Sequence, residues 1–176
     1  MTDRPIIFSA PMVRALLAGE KTQTRRLATS PLARAAVGDR LWVREPHWSK
    51  RSEAGSFSVV WAAEFDWEGA AAFQRERGYR LRPAILMPRW ASRLTLVIEG
   101  VWIEPLQTLG EADAKAEGVP ACARRVVGLE GGCDSFVCGY RQLWAKLHPT
   151  EGERWEDNPH VVALAFRVEP KGIDQP

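Results

Sequence analysis

Read for the alternation and recurrence of its apolar positions, the chain divides into short strands separated by short helices. Residues 5–8 read as a first strand, and Ser9 with Pro11 behind it supplies N-cap and first-turn chemistry for a helix. Met12, Ala15 and Leu16 recur at helical spacing as far as Gly19, which suits a left-handed stop after the last turn. Residues 22–27 predict a strand or the entry to one, and residues 31–37 another short helix. Gly38-Asp39 is a turn signal leading into Arg40-Leu41-Trp42-Val43-Arg44. That segment alternates strictly, with Leu41 and Val43 on one face and Arg40, Trp42 and Arg44 on the other, so one face is apolar and one basic-aromatic.

Further along, residues 57–61 predict a strand and residues 66–77 a helix with an alanine-rich middle. Residues 94–103 form the longest strand candidate, interrupted by Gly100 as a bulge interrupts a ladder. Thr108 and Glu111 fit a capping box for a helix that stops near Gly118 and leaves Glu117 at its end. A loop over 119–132, a helix over 135–147 and a last strand over 161–168 complete the reading. Short strands interleaved with short helices, ending on a strand that can close on the first, predict an α+β fold built on a small mixed β-barrel. The whole chain, 1–176, is expected to be one domain, with residues 46–84 an elaboration on its core. It carries no G-x-G-x-x-G segment, no Walker loop and no internal repeat.

Composition changes this picture little, with 45% hydrophobic and 26% charged residues in a chain of 176. Cys122, Cys133 and Cys138 lack paired metal-ligand spacing, and His47, His148 and His160 are scattered, so no metal and no other cofactor is expected. No apolar run approaches the roughly 18 residues of a membrane span, and the N-terminus does not read as a signal peptide, so a cytoplasmic protein is expected.

Charge placement says more than the net of +2. Residues 1–51 carry ten Lys or Arg against four acids, and the remainder fourteen against eighteen. A second basic run comprises Arg75, Arg77, Arg80, Arg82, Arg89 and Arg93 against Glu76, and together the two would make a positive groove. Trp42, Trp90, Arg44, Arg89 and Arg93 supply the aromatic faces and guanidinium planes that stack on unpaired bases and hold phosphates. With eight tryptophans in the chain, Trp42 and Trp61 serve packing equally well, and Trp102 and Trp144 are assigned to it.

Gly19-Glu20-Lys21-Thr22-Gln23-Thr24-Arg25-Arg26, followed by Gly38-Asp39-Arg40-Leu41-Trp42-Val43-Arg44-Glu45, resembles the opening of ASCH-domain proteins, a branch of the PUA-like superfamily. Met87-Pro88-Arg89-Trp90-Ala91-Ser92-Arg93 and Asn158-Pro159 before the last strand are similar to the larger, phage-associated members. The resemblance, over residues 5–168, implies a PUA-like β-barrel flanked by helices, with a cleft that receives RNA or a modified nucleoside. One smaller bacterial member removes the acetyl group from 4-acetylcytidine, and its Lys, Thr and Glu fall on Lys21, Thr24 and Glu117 here. In that chemistry Lys21 would act as base, Thr24 as nucleophile or as the group that orients a water, and Glu117 as acid toward the departing amine. Arg26 would stabilise the developing anion, and Arg25 would bind substrate beside it. In a regular strand residues 21 and 24 face opposite ways, so Lys21 must lie in a turn for the two to meet.

The same residues also admit an ordinary reading: a solvated turn lysine, a strand threonine and a surface acid at a helix end. A non-catalytic RNA-binding module and a metal-independent ribonuclease are the alternatives for the chain as a whole.

Overall fold

The computed structural model describes residues 1–51, 56–65, 77–122 and 135–175. In chain order the elements are β1 (Asp3–Ile7), α1 (Ala10–Leu17), β2 (Gln23–Leu27), β3 (Arg40–Arg44), β4 (His47–Arg51), β5 (Phe57–Trp61) and β6 (Arg80–Arg82). β7 (Thr95–Pro105), α2 (Glu111–Ala116), α3 (Phe136–Leu147) and β8 (His160–Glu169) follow. The helix expected over 66–77 and most of the loop expected over 119–132 lie outside the described residues. The short helix expected over 31–37 is a single 3-10 turn, Pro31–Arg34, held by Ser30 Oγ accepting from Leu32 N.

The alternation of β3 is realised as read, with Leu41 and Val43 buried and Arg40, Trp42 and Arg44 on the other face. The apolar face joins the principal core of Ile6, Phe8, Val13, Leu16, Leu96, Ile98, Val162 and Leu164, which lies between the large sheet and α1. A second core under α2 and α3 gathers Leu106, Leu109, Tyr140, Trp144, Trp155 and Val161. β7 pairs with β8 across a register shift between Ile98 and Gly100, so the glycine does mark a bulge.

The strand order is β1-β3-β7-β8-β2, with β1 parallel to β3 and the other pairs antiparallel. The fold is therefore α+β, but the sheet does not close into the expected barrel. β8 uses one edge on β7 and the other on β2, so none remains for β1. β1 and β2 stay as the two open edges, and side chains fill the gap: Phe8 is buried there, and Arg26 Nη2 donates to Ile7 O at 3.1 Å. Within the stretch expected to be an elaboration, β4, β5 and β6 form a separate antiparallel sheet in the order β5-β4-β6.

The capping box is also corrected. α2 begins at Glu111 with Gly110 as N-cap, and Thr108 Oγ1 donates to Pro105 O instead. Glu111 serves the next helix, its carboxylate accepting from Ser135 Oγ and from the backbone N–H of Phe136 at 2.7 Å and Val137 at 3.4 Å. Those N–H groups at the start of α3 have no partner within their own helix, and a carboxylate there also meets the positive end of the helix dipole. α2 and α3 are thereby joined end to end.

α2 stops at Gly118, whose φ of +71° is left-handed, and a Cβ there would stand 2.8 Å from Lys21 Cβ and 2.9 Å from Ala15 Cβ. Gly118→Ala is expected to lower the unfolding free energy by about 2 kcal/mol or more, from the left-handed penalty and overpacking combined. Urea denaturation checks this, and an unchanged midpoint would contradict the packing described.

Candidate functional site at the open edge of the main sheet

The chain between α1 and β2 turns tightly on Gly19, whose φ is +73°, and both Glu20 N and Lys21 N donate to Ala15 O. Lys21 therefore lies in the turn ahead of β2, which removes the geometric objection to its meeting residues of that strand. Thr22 N donates to Ala116 O, and Lys21 forms an isolated bridge with Glu117, so the entry to β2 is laid against the end of α2. Beyond that point the pleat puts Thr24 and Arg26 on one face and Arg25 on the other.

Lys21 Nζ donates to Glu117 Oε2 at 2.9 Å, to Glu117 O at 2.8 Å and to Gln23 O at 2.8 Å, which uses all three of its protons. Glu117 Oε1 takes Arg25 Nη1 at 3.3 Å, while Arg25 Nε donates to Glu104 Oε1 at 2.9 Å and Asp113 stands 3.5 Å away. Arg26 Nη1 donates to Thr24 Oγ1 at 2.9 Å. Lys21 and Arg26 meet over the ring of Phe8, at 5.3 and 5.2 Å from its centre. Three cations thus face three carboxylates. Relative exposure is 1% at Lys21, 0% at Thr24 and 4% at Glu117, and Arg26 is half-buried.

Burial lowers the Lys21 pKa against the opposing pull of the Glu117 carboxylate. Tyr140, packed under the cluster, has its phenol raised well above the ordinary value, by burial first and by Glu117 second.

The structure thus joins Lys21 to Glu117, and Thr24 to Arg26, but no hydrogen bond links Lys21 to Thr24. Arg25, expected at the substrate, is sealed in ion pairs at 1% exposure. The other expected residues divide. Arg44 lies over Trp42 at 5.2 Å and donates through Nη2 to Ile85 O. Arg89 is held by Asp3 at 2.6 Å and Asp174 at 2.9 Å, which fastens the C-terminal tail to β1. Arg93 pairs with the buried Glu45 at 2.9 Å and with Glu64 at 2.6 Å, and lies over Trp61. Trp90 is 59% exposed. Carboxylates neutralise Arg25, Arg89 and Arg93 where they stand, so among the described residues these three add no free charge to the positive groove expected from the two basic runs. Glu104, Asp113 and Tyr140 were missed by the sequence reading, since no motif links them to Lys21. An acid in the otherwise apolar end of β7 was the one available signal.

Among the described residues, no three His, Cys, Asp or Glu side chains are grouped so as to hold a metal ion, and no helix is long and apolar enough to cross a membrane.

No family model and no curated protein matches the chain. Solved structures with a similar course include an ASCH domain from Lactobacillus crispatus JV V101, at 14% identity and a TM-score of 0.47 over 95% of this chain and 79% of that one. The hypothetical protein PH0355 is 13% identical, with a TM-score of 0.45 over 96% of this chain and 100% of that one. Protein EF3133 from Enterococcus faecalis V583 is 11% identical, with a TM-score of 0.49 over 100% of this chain and 85% of that one.

Two outcomes follow from the cluster. Lys21→Met or Glu117→Gln alone is expected to cost about 3 kcal/mol or more of stability, and the double variant less than the sum, because each single change strands a buried partner. Chemical denaturation of the three variants measures this, and strict additivity would show the pair to be uncoupled. In a Tyr79→Phe background the remaining phenol, Tyr140, is expected to resist ionisation above pH 10 in an ultraviolet titration. The unfolded phenol loses its proton first, so stability should fall as pH rises past the unfolded value of about 10.

Proposed function

We propose that the β1–β2 edge recognises RNA or a modified nucleoside, and that its finer chemistry is hydrolysis of the amide of a 4-acylcytidine. The observation that carries this reading is the buried Lys21–Glu117 pair at 2.9 Å beside the Thr24–Arg26 pair. Two charges removed from water cost several kcal/mol, and a hydrophobic pair of similar volume would serve packing at least as well, so the pair is a candidate for chemistry.

Transfer of one proton from Lys21 Nζ to Glu117 Oε2 makes a neutral amine and a neutral acid, a change that burial of the lysine favours. The amine then takes the Thr24 hydroxyl proton as its oxygen attacks the acyl carbon. Glu117 returns its proton to the cytidine N4 as the C–N bond breaks, leaving an acyl ester on Thr24. Water hydrolyses that ester to the carboxylic acid and restores the hydroxyl. Arg26 lies beside Thr24 Oγ1, where it would donate to the developing oxyanion. Because Lys21 and Thr24 are buried, substrate must displace Arg26 from its bond to Ile7 O to reach them.

A second reading is a non-catalytic RNA-binding module, favoured by the saturation of all three Lys21 donors, which leaves no proton acceptor poised. A metal-independent ribonuclease has no observation of its own in its favour.

Release of cytidine and free acid from a panel of 4-acylcytidines tests the chemistry. The native protein is expected to turn over at least one member, and Lys21→Ala and Glu117→Gln, verified as folded by circular dichroism, to lose about a hundredfold or more. Absence of turnover across the panel, with RNA binding that weakens steeply with salt, would replace hydrolysis by the binding module.

A further inference from the structure

We propose that the smaller sheet carries a second, separate site: a stacking groove for the unpaired nucleotides of single-stranded RNA. The inference rests on the reading that this protein handles RNA, and it adds a surface made of different residues.

Residues paired across an antiparallel ladder project to the same face. The registers His47↔Trp61, Ser49↔Val59 and Arg51↔Phe57, with His47↔Arg82 and Ser49↔Arg80, therefore put all eight side chains on one face of β5-β4-β6. A groove of about 360 Å³ opens over this face, lined by His47, Phe57, Arg82, Leu86 and Trp90 among others. Its size lies within the range of small-ligand pockets. Phe57 and Trp90 are 58% and 59% exposed in it. Large aromatics ordinarily supply burial, and two of them left open in one groove mark a surface that meets a partner.

The charge on this face identifies the partner. Arg51, Arg80 and Arg82 are exposed, and none of the eight paired residues of this face is an acid. Arg80 and Arg82 form no ion pair with any described residue, in contrast to Arg89 and Arg93 close by in sequence. Arg51 lies over the ring of Phe57 at 5.8 Å, a guanidinium stacked beside an aromatic face. Aromatic planes for bases and unneutralised guanidiniums for phosphates are the two parts that single-strand recognition requires. An apolar protein segment would use the rings but leave three cations unmatched, and a polyanion without flat rings would leave Phe57 and Trp90 exposed. At the floor, Ser49 offers a hydroxyl to a base edge, and the buried His47 has its Nδ1 occupied 3.3 Å from Glu45 O.

The test is fluorescence anisotropy of a short, labelled, single-stranded oligouridylate at low salt, with a duplex of equal length as comparison. The native protein is expected to prefer the single strand. Trp90→Ala and Phe57→Ala should each weaken binding about tenfold, in line with the loss of one stacked base. The double charge reversal Arg80→Glu with Arg82→Glu, which alters only exposed side chains, should abolish binding at the same salt. If the native protein binds the oligonucleotide and these variants bind it equally well, the groove is not the site, and the β1–β2 edge keeps its reading. If the native protein binds no single strand, the groove proposal falls, while 4-acylcytidine turnover still decides the edge. Loss of binding in the groove variants without any nucleoside turnover sustains the groove and sinks the hydrolytic reading.

Discussion

A lysine and a glutamate 96 residues apart in the chain share a proton-donor contact of 2.9 Å inside this protein, and much of the local architecture exists to make that contact tolerable. Burying both charges is costly unless every remaining donor and acceptor finds a partner. Here the ammonium is completed by two backbone carbonyls and the carboxylate by Arg25, itself held by Glu104. The geometry in turn requires a turn at Gly19 that takes Lys21 out of the strand, and a left-handed glycine at 118 that lets the lysine backbone approach α2. Because the pair ties the start of β2 to the end of α2, and Glu111 ties the start of α2 to α3, one electrostatic chain links the open edge of the main sheet to the helical layer behind it.

Two groups of cationic residues stand apart among the described residues. Around the β1–β2 edge and along the C-terminal tail most are matched by carboxylates: Lys21 and Arg25 by Glu117, Arg89 by Asp3 and Asp174, Arg93 by Glu45, while Arg26 is held by Thr24 Oγ1 and Ile7 O. On the smaller sheet Arg80 and Arg82 stand in solvent beside open aromatic rings. A neutralised, buried cluster suits proton transfer, in which charge is moved and not merely attracted. Exposed, unmatched guanidiniums suit capture of a polyanion, whose counterions they release.

What the sequence held in legible form was local. The alternation of Arg40 to Arg44, the stop at Gly19, the bulge at Gly100 and the amphipathic helix ending at Leu147 each depend on residues within a turn or a few pleats of one another, and each is present. The short motif containing Lys21 and Thr24 lies at the entry to β2, where Lys21 meets Glu117 and Thr24 meets Arg26. Glu111 shows where local reading fails: its spacing from Thr108 satisfies a capping rule, yet its carboxylate bonds to a helix 25 residues downstream.

By itself the sequence determined the five strands of the main sheet, the helices α1, α2 and α3, the stop at Gly19 and the candidacy of Lys21, Thr24 and Glu117, but not β4 or β6, because backbone preference and side-chain periodicity act over short separations. Only the tertiary structure decided that the sheet stays open, since closure depends on which strand edges are already occupied, and β8 had none to spare. It alone decided which arginines are neutralised, because an ion pair is set by distance in space, and Arg25 and Glu104 are brought together by strands that lie 79 residues apart in the chain.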